Sequence, residues 1–174
     1  MNSIRNEYSK IGVTEFYKKY GDTYSNPHEK TIHKHLLLIL NQFNKNDKIL
    51  DLCCGSGEVS LFLYNKGFNN ISGIDPYTKQ NYIDRTGLKC SGMDFSDLST
   101  KGLTEQYNTI ICSFAMHLCP KSYLPNLLYQ LSLVTHNLII ISPHKKPEIN
   151  HYFTLSKTQY IDNVYLKIYN SELF

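Results

Sequence analysis

Three aspartates, two glycines and two histidines stand where side chains can meet a ligand. Asp51, Asp75 and Asp94 each close an apolar run, and Gly55 and Gly57 follow the first of them. A carboxylate at the end of a buried strand is costly without a partner. Asp51-Leu-Cys-Cys-Gly-Ser-Gly57 passes straight into Glu58-Val-Ser-Leu-Phe-Leu63. Strand, carboxylate, glycine turn and helix in that order suit a nucleoside-bearing cofactor. The glycines admit a close backbone approach, and the new helix aims free N–H groups at an anionic group. At the end of the next strand, Asp75 has the position from which a carboxylate accepts ribose hydroxyls. As a plain turn residue it would instead initiate the bend before Pro76. His117 and His144 each follow a later apolar run, and histidine is the usual general base near neutral pH.

The Asp51–Gly57 stretch resembles the first motif of class I S-adenosylmethionine-dependent methyltransferases, an acidic residue before G-x-G-x-G. Gly55 and Gly57 match the later glycines, and Cys53 stands in place of the first. That exchange is tolerable if position 53 needs no positive φ. The resemblance implies a cofactor loop of Cys53, Gly55, Ser56 and Gly57, with Asp51 orienting the amino-acid portion of S-adenosylmethionine. Pro76 and Tyr77 would flank the adenosine. Asp94 would bond the adenine amino group and Phe95 pack on the ring, although Asp94 or Asp97 also suits a helix cap. Ser113-Phe114-Ala-Met-His117 would line the donor methyl, with His117 as base, acceptor partner or core histidine. The loop lacks the Asn/Asp-Pro-Pro-aromatic signature of many enzymes that methylate nucleic-acid amino groups. The chain is also similar to small uncharacterised methyltransferases with stretches like Tyr24-Ser-Asn-Pro-His28 and Pro143-His-Lys-Lys-Pro147.

The elements that must position these residues are legible in outline. Thr14–Tyr20 reads as a short helix. Asn26, Pro27 and Glu29 read as N-cap, first helical residue and capping-box partner of a second helix, whose face carries Ile32, Leu36, Ile39, Leu40 and Phe43. Strands are expected at Lys48–Cys53, Asn70–Asp75, Leu88–Met93, Asn108–Phe114 and Asn137–Ser142. Helices are expected from Glu58, from Pro76 and along Leu124–Val134. Tyr152–Tyr160 and Val164–Tyr169, divided at Asp162-Asn163, read as a hairpin. The alternation predicts an α/β fold: an open, mostly parallel, doubly wound sheet with a C-terminal antiparallel hairpin and an N-terminal helical cap. Residues 1–174 would form one domain, 1–47 the cap and 48–174 the core. Tyr24 and His28 in the cap are candidates to close over the donor, against the alternative that cap aromatics only pack it down.

With 174 residues and a net charge of +3 spread along the chain, there is one domain's worth of sequence and no basic stripe that argues for nucleic acid. The longest apolar runs are too short to span a bilayer, and the N-terminus lacks a signal peptide's apolar core. Five cysteines without C-x-x-C spacing read as reduced thiols of an intracellular, cytoplasmic protein. His33 and His35 point to different helix faces, so no metal is expected there. The function expected is methyl transfer from S-adenosylmethionine to a small molecule, protein or RNA. The alternatives are a non-catalytic S-adenosylmethionine-binding regulator or partner subunit, and an NAD-dependent oxidoreductase. The last is disfavoured by Ser60 at the third glycine's place.

Overall fold

Short apolar strands alternate with helices that each carry one apolar stripe, so each strand–helix unit buries itself only by stacking beside the next. The computed structural model describes residues 11–23 and 25–174. Two N-terminal helices, α1 (Val13–Tyr20) and α2 (Glu29–Leu37), lead into β1 (Ile49–Leu52). Then follow α3 (Glu58–Asn65), β2 (Ile71–Ile74), α4 (Lys79–Thr86), β3 (Cys90–Ser91), α5 (Phe95–Lys101), β4 (Tyr107–Ser113), α6 (Leu124–Ser132) and β5 (Thr135–Ser142). The chain closes with β6 (Phe153–Ile161) and β7 (Val164–Ser171). Among the described residues no helix is long and apolar enough to cross a membrane.

The seven strands form one sheet in the order β3-β2-β1-β4-β5-β7-β6. β1 to β5 pair in parallel, and β7 joins β5 and β6 antiparallel. The order reverses between β1 and β4, which opens a crevice at the carboxyl ends of the parallel strands. Alternation along the strands sorts two cores. Ile49, Ile111, Ile139 and Ile141 meet Ile32, Leu36, Val59 and Leu63 on one face. Leu50, Leu52, Ile110, Cys112, Leu138 and Ile140 meet Leu98, Leu127, Leu128 and Leu131 on the other. Each such side chain contributes about 1.5–3 kcal/mol of burial.

The hairpin forms as its turn residues require. Asp162 and Asn163 both have positive φ, 52° and 61°, the geometry of a two-residue hairpin turn whose twist matches the strands. Two expectations need correction. β3 has two residues, because only Cys90 and Ser91 pair with β2. Asn26 is not the cap of α2. Its Oδ1 accepts from the His28 N–H at 2.9 Å one turn earlier, and Glu29 bonds Arg85 rather than closing a capping box. Ile32, Leu36 and Ile39 are fully buried in the same cluster as β1 and α3. The expected cap thus shares its apolar face with the sheet rather than resting loosely over it.

Candidate active site

Asp51 is fully buried at the end of β1. The pleat turns it to the same face as Ile49, beneath α3. Its Oδ2 accepts from the Ser60 N–H at 3.2 Å and the Ser60 hydroxyl at 2.7 Å, and Ser60 Oγ shares a further bond of 2.8 Å with Tyr82 Oη. Oδ1 has no partner. Asp51 therefore ties β1 to α3 and does not line the crevice, which corrects its expected direct contact with a ligand. Burial pushes its carboxyl well above the usual range, against the Ser60 hydrogen bond. The sign follows. The folded state holds the proton more tightly than the unfolded chain, so stability falls as pH rises above the ordinary carboxylate value. Asp51→Asn keeps an oxygen for Ser60 and cannot ionise. Its stability relative to the parent is expected to improve steadily with pH. Urea unfolding at acid and neutral pH measures this, and parallel pH profiles would refute it.

The loop after β1 is tightly wound. Cys54 N–H donates to Ile74 O at 3.1 Å and Gly57 N–H to Cys54 O at 2.9 Å. Cys53 has φ +57°, so position 53 does need the left-handed region. The thiol side chain sits where a glycine is unstrained, at a cost on the order of 1 kcal/mol. Gly57 has φ +91°, and a Cβ there would lie 2.5 Å from Thr86 Cγ2. Ser56 is buried, and its hydroxyl donates to the Glu58 carboxylate. Arg85 Nη1 holds Ser56 O and Glu58 Oε1, each at 3.1 Å. These bonds turn Ser56 toward α4, and neither it nor Gly57 lines the cavity, a correction to both assignments.

Asp75 faces the cavity but is already engaged. Its Oδ1 accepts from the Tyr77 and Thr78 N–H groups at 2.9 and 3.0 Å, and Oδ2 from Gly55 N–H at 3.2 Å. A carboxylate offers about four lone-pair sites, so one remains for a ligand hydroxyl rather than two. Asp94 caps α5. Its Oδ1 accepts from Asp97 N–H at 2.8 Å, and Asp97 returns a bond to Asp94 N–H at 3.4 Å. Capping engages Asp94 Oδ1 and leaves Oδ2 outside the capping box, on a residue that lines the cavity.

At the end of β4, Phe114 has φ +55° and its N–H donates to Ile141 O at 2.7 Å. The His28 ring stacks on Phe114 with centroids 4.6 Å apart. A short turn, Met116–Leu118, sends Met116 into the core and leaves His117 against His144, ring centroids 4.3 Å apart. Burial, then the neighbouring His144, lowers the His117 pKa to about 4. Its buried Nδ1 has no hydrogen-bond partner. His117 and His144 thus meet each other beside the cavity and not on its wall. Tyr24 lies outside the described residues.

The crevice holds a cavity of about 290 Å³. Cys53, Gly55, Asp75, Pro76, Tyr77, Asp94, Phe95, Ser113 and Phe114 all line it. Two strained non-glycine residues, Cys53 and Phe114, lie on its wall, and such strain collects at ligand sites.

Residues 26–135 match the family described as methyltransferase domain. This chain belongs to that family. An uncharacterized protein of Schizosaccharomyces pombe is 31% identical, with 84% of this chain and 77% of that protein covered. Among solved structures, the magnesium protoporphyrin IX methyltransferase of Synechocystis PCC 6803 with bound SAM superposes with TM-score 0.63 at 16% identity, covering 95% of this chain and 93% of that one. A TehB-like SAM-dependent methyltransferase of Corynebacterium glutamicum gives 0.66 at 12% identity, covering 98% and 100%. At these identities the two structures show a shared fold.

Sequence reasoning missed part of this methyltransferase domain's cavity wall. Tyr17, Asn26, Met93, Leu118 and Tyr123 line it too. Tyr17 stacks on Tyr77 with centroids 6.1 Å apart. Asn26 is 8% exposed, and its Asn-Pro context carries no sequence signal beyond that of a helix start.

Proposed function

We propose that this methyltransferase domain binds S-adenosylmethionine in the cavity and passes its methyl group to an acceptor that approaches past Phe114. The observation that carries this reading is the joint presence on one cavity wall of Gly55, Asp75 and Asp94. The residues fit the group. Asp75 keeps one lone-pair site for a ribose hydroxyl, and Asp94 keeps Oδ2 for an amino group. Pro76, Tyr77 and Phe95 supply apolar surface for a purine. The Gly55 backbone admits the amino-acid portion closely.

When bound, the sulfonium supplies an electrophilic methyl group. The chain's own contribution is orientation. Cys53 and Phe114 end neighbouring strands, so their rigid turns fix the two sides between which donor and acceptor align. His28, stacked on Phe114 at the start of α2, shields that side from water. His117 stays neutral at physiological pH, so on the acceptor side its ring can accept a hydrogen bond or proton from the nucleophile. His144, followed by Lys145 and Lys146, gives that side a basic character suited to an anionic acceptor.

Calorimetry tests the first step. S-adenosylmethionine and its demethylated product are expected to bind at micromolar strength, and NAD is not. Cell extract incubated with the protein and methyl-labelled donor then identifies the acceptor. NAD binding without donor binding would overturn the reading. Donor binding with no labelled species in any extract would favour a regulator that keeps the cofactor site.

A further inference from the structure

The mechanism leaves the Cys54 and Cys90 thiols unused, although their sulfurs lie 3.7 Å apart, in contact. They belong to different parts of the surface. Cys54 lines the donor cavity, while the half-buried Cys90 lines a separate groove of about 870 Å³ along the β2–β3 edge of the sheet. The strand between them makes the meeting possible. Gly73 of β2 is in register with both Asp51 and Cys90. A Cβ at Gly73 would lie 2.8 Å from Cys54 Sγ and 2.7 Å from Tyr82 Cζ. Glycine at 73 leaves room for the Cys54 sulfur beside β2.

We propose that Cys54 and Cys90 form a hydroperoxide-sensitive thiol pair whose disulfide reshapes the wall of the donor cavity. The second half rests on the reading of that cavity as the S-adenosylmethionine site. The chemistry balances with hydrogen peroxide as oxidant. The Cys90 thiolate attacks one peroxide oxygen, the O–O bond breaks, and hydroxide leaves, giving a sulfenic acid. The Cys54 thiol then attacks that sulfur. An S–S bond forms, the S–O bond breaks, and the thiol proton leaves with the oxygen as water. The two thiols differ in the sense this order requires. The hydrogen bond from Cys54, aided by the Asp75 backbone and Lys79, holds Cys90 below the ordinary thiol range against burial. Burial, then Cys90, pushes Cys54 up. Cys90 is also the more exposed of the two thiols, so a peroxide reaches it first.

Closing the bond draws the sulfurs together by roughly 1.7 Å, from 3.7 Å to the S–S length. Side chains and the short elements that carry them adjust to close that gap. β3 is only two residues long, and Ser91 O accepts from the Asp75 N–H at 3.0 Å. Cys54 lies between Cys53 and Gly55 on the cavity wall. Movement on either side therefore reaches a residue that contacts the donor.

The test uses the full chain, reduced and then treated with hydrogen peroxide. Intact mass should fall by two hydrogens, and peptide mapping should yield a Cys54–Cys90 cross-link. S-adenosylmethionine affinity should weaken about tenfold, the scale of one lost hydrogen bond, and recover with dithiothreitol. Cys90→Ser, and Cys90→Ala if the serine variant misfolds, should bind donor like the parent and lose the response. Over-oxidation of Cys90 without a cross-link, or a link through other cysteines, would overturn the thiol pair. A Cys54–Cys90 link with unchanged affinity would overturn the effect on the cavity. If the reduced chain binds no donor, the cavity reading fails, while the mapped cross-link still decides the thiol chemistry.

Discussion

Asp75→Ala is expected to weaken S-adenosylmethionine binding by about 1–3 kcal/mol, the scale of a hydrogen bond to a charged group, and to lower fold stability as well. A carboxylate whose only partner was a ligand would leave the fold untouched. Here it also receives the N–H groups of Gly55, Tyr77 and Thr78. Alanine strands those donors in a site where Asp75 itself is 8% exposed, and each donor left without water or a new partner costs about 1–3 kcal/mol. The Gly55 bond couples the two effects, because it joins the turn after β2 to the loop after β1. Calorimetry and thermal unfolding separate them. A variant that melts early but binds donor like the parent would make Asp75 a turn residue only. A variant unchanged in both would contradict the geometry.

The same aspartate marks how far sequence carries. Its place at a strand end is readable, because the apolar run stops there and a turn begins. The bonds it makes are not, because Gly55 lies twenty residues away in sequence and the sheet brings the two turns together. Asp51 shows the complementary case. Its motif position points to the ligand, yet strand alternation sends it to the α3 face. Ser60, read only as a departure from a third glycine, is its partner. The open, mostly parallel sheet was legible because buried strands alternate with helices, and the hairpin because Asp162-Asn163 tolerates positive φ. The length of β3 was not, since an edge strand's pairing depends on its neighbour rather than on its own apolar pattern. Asn26 escaped for a similar reason. Asn-Pro is a common local signal before a helix, and nothing local says that the turn faces a cavity.

His117→Ala is expected to lower turnover about 100-fold, the lower end for a positioned acid–base group, while donor affinity stays within about twofold of the parent. The separation follows from position. The ring meets His144 beside the cavity and does not line it, so a donor can seat without it, and its turn follows Phe114 on the side proposed for the acceptor. Protonation gives a second, independent signature. His117 titrates at about 4 in the fold, because burial and then His144 disfavour its charge. The unfolded chain takes up that proton near 6.5. Stability from the neutral ring is thus fully present above about pH 6.5 and is lost as pH falls toward 4. The alanine variant should lose this acid sensitivity and unfold with a flatter pH profile across the same window. Turnover of the parent should owe nothing to His117 titration between pH 5 and 8, since the ring is already neutral there. The assay uses the acceptor identified by labelling, with donor affinity measured in parallel. Equal losses of donor affinity and turnover would make His117 a support of the cavity wall. A flatter stability profile with full turnover would make it a buried histidine of the loop, and the proton would then leave the acceptor by another route.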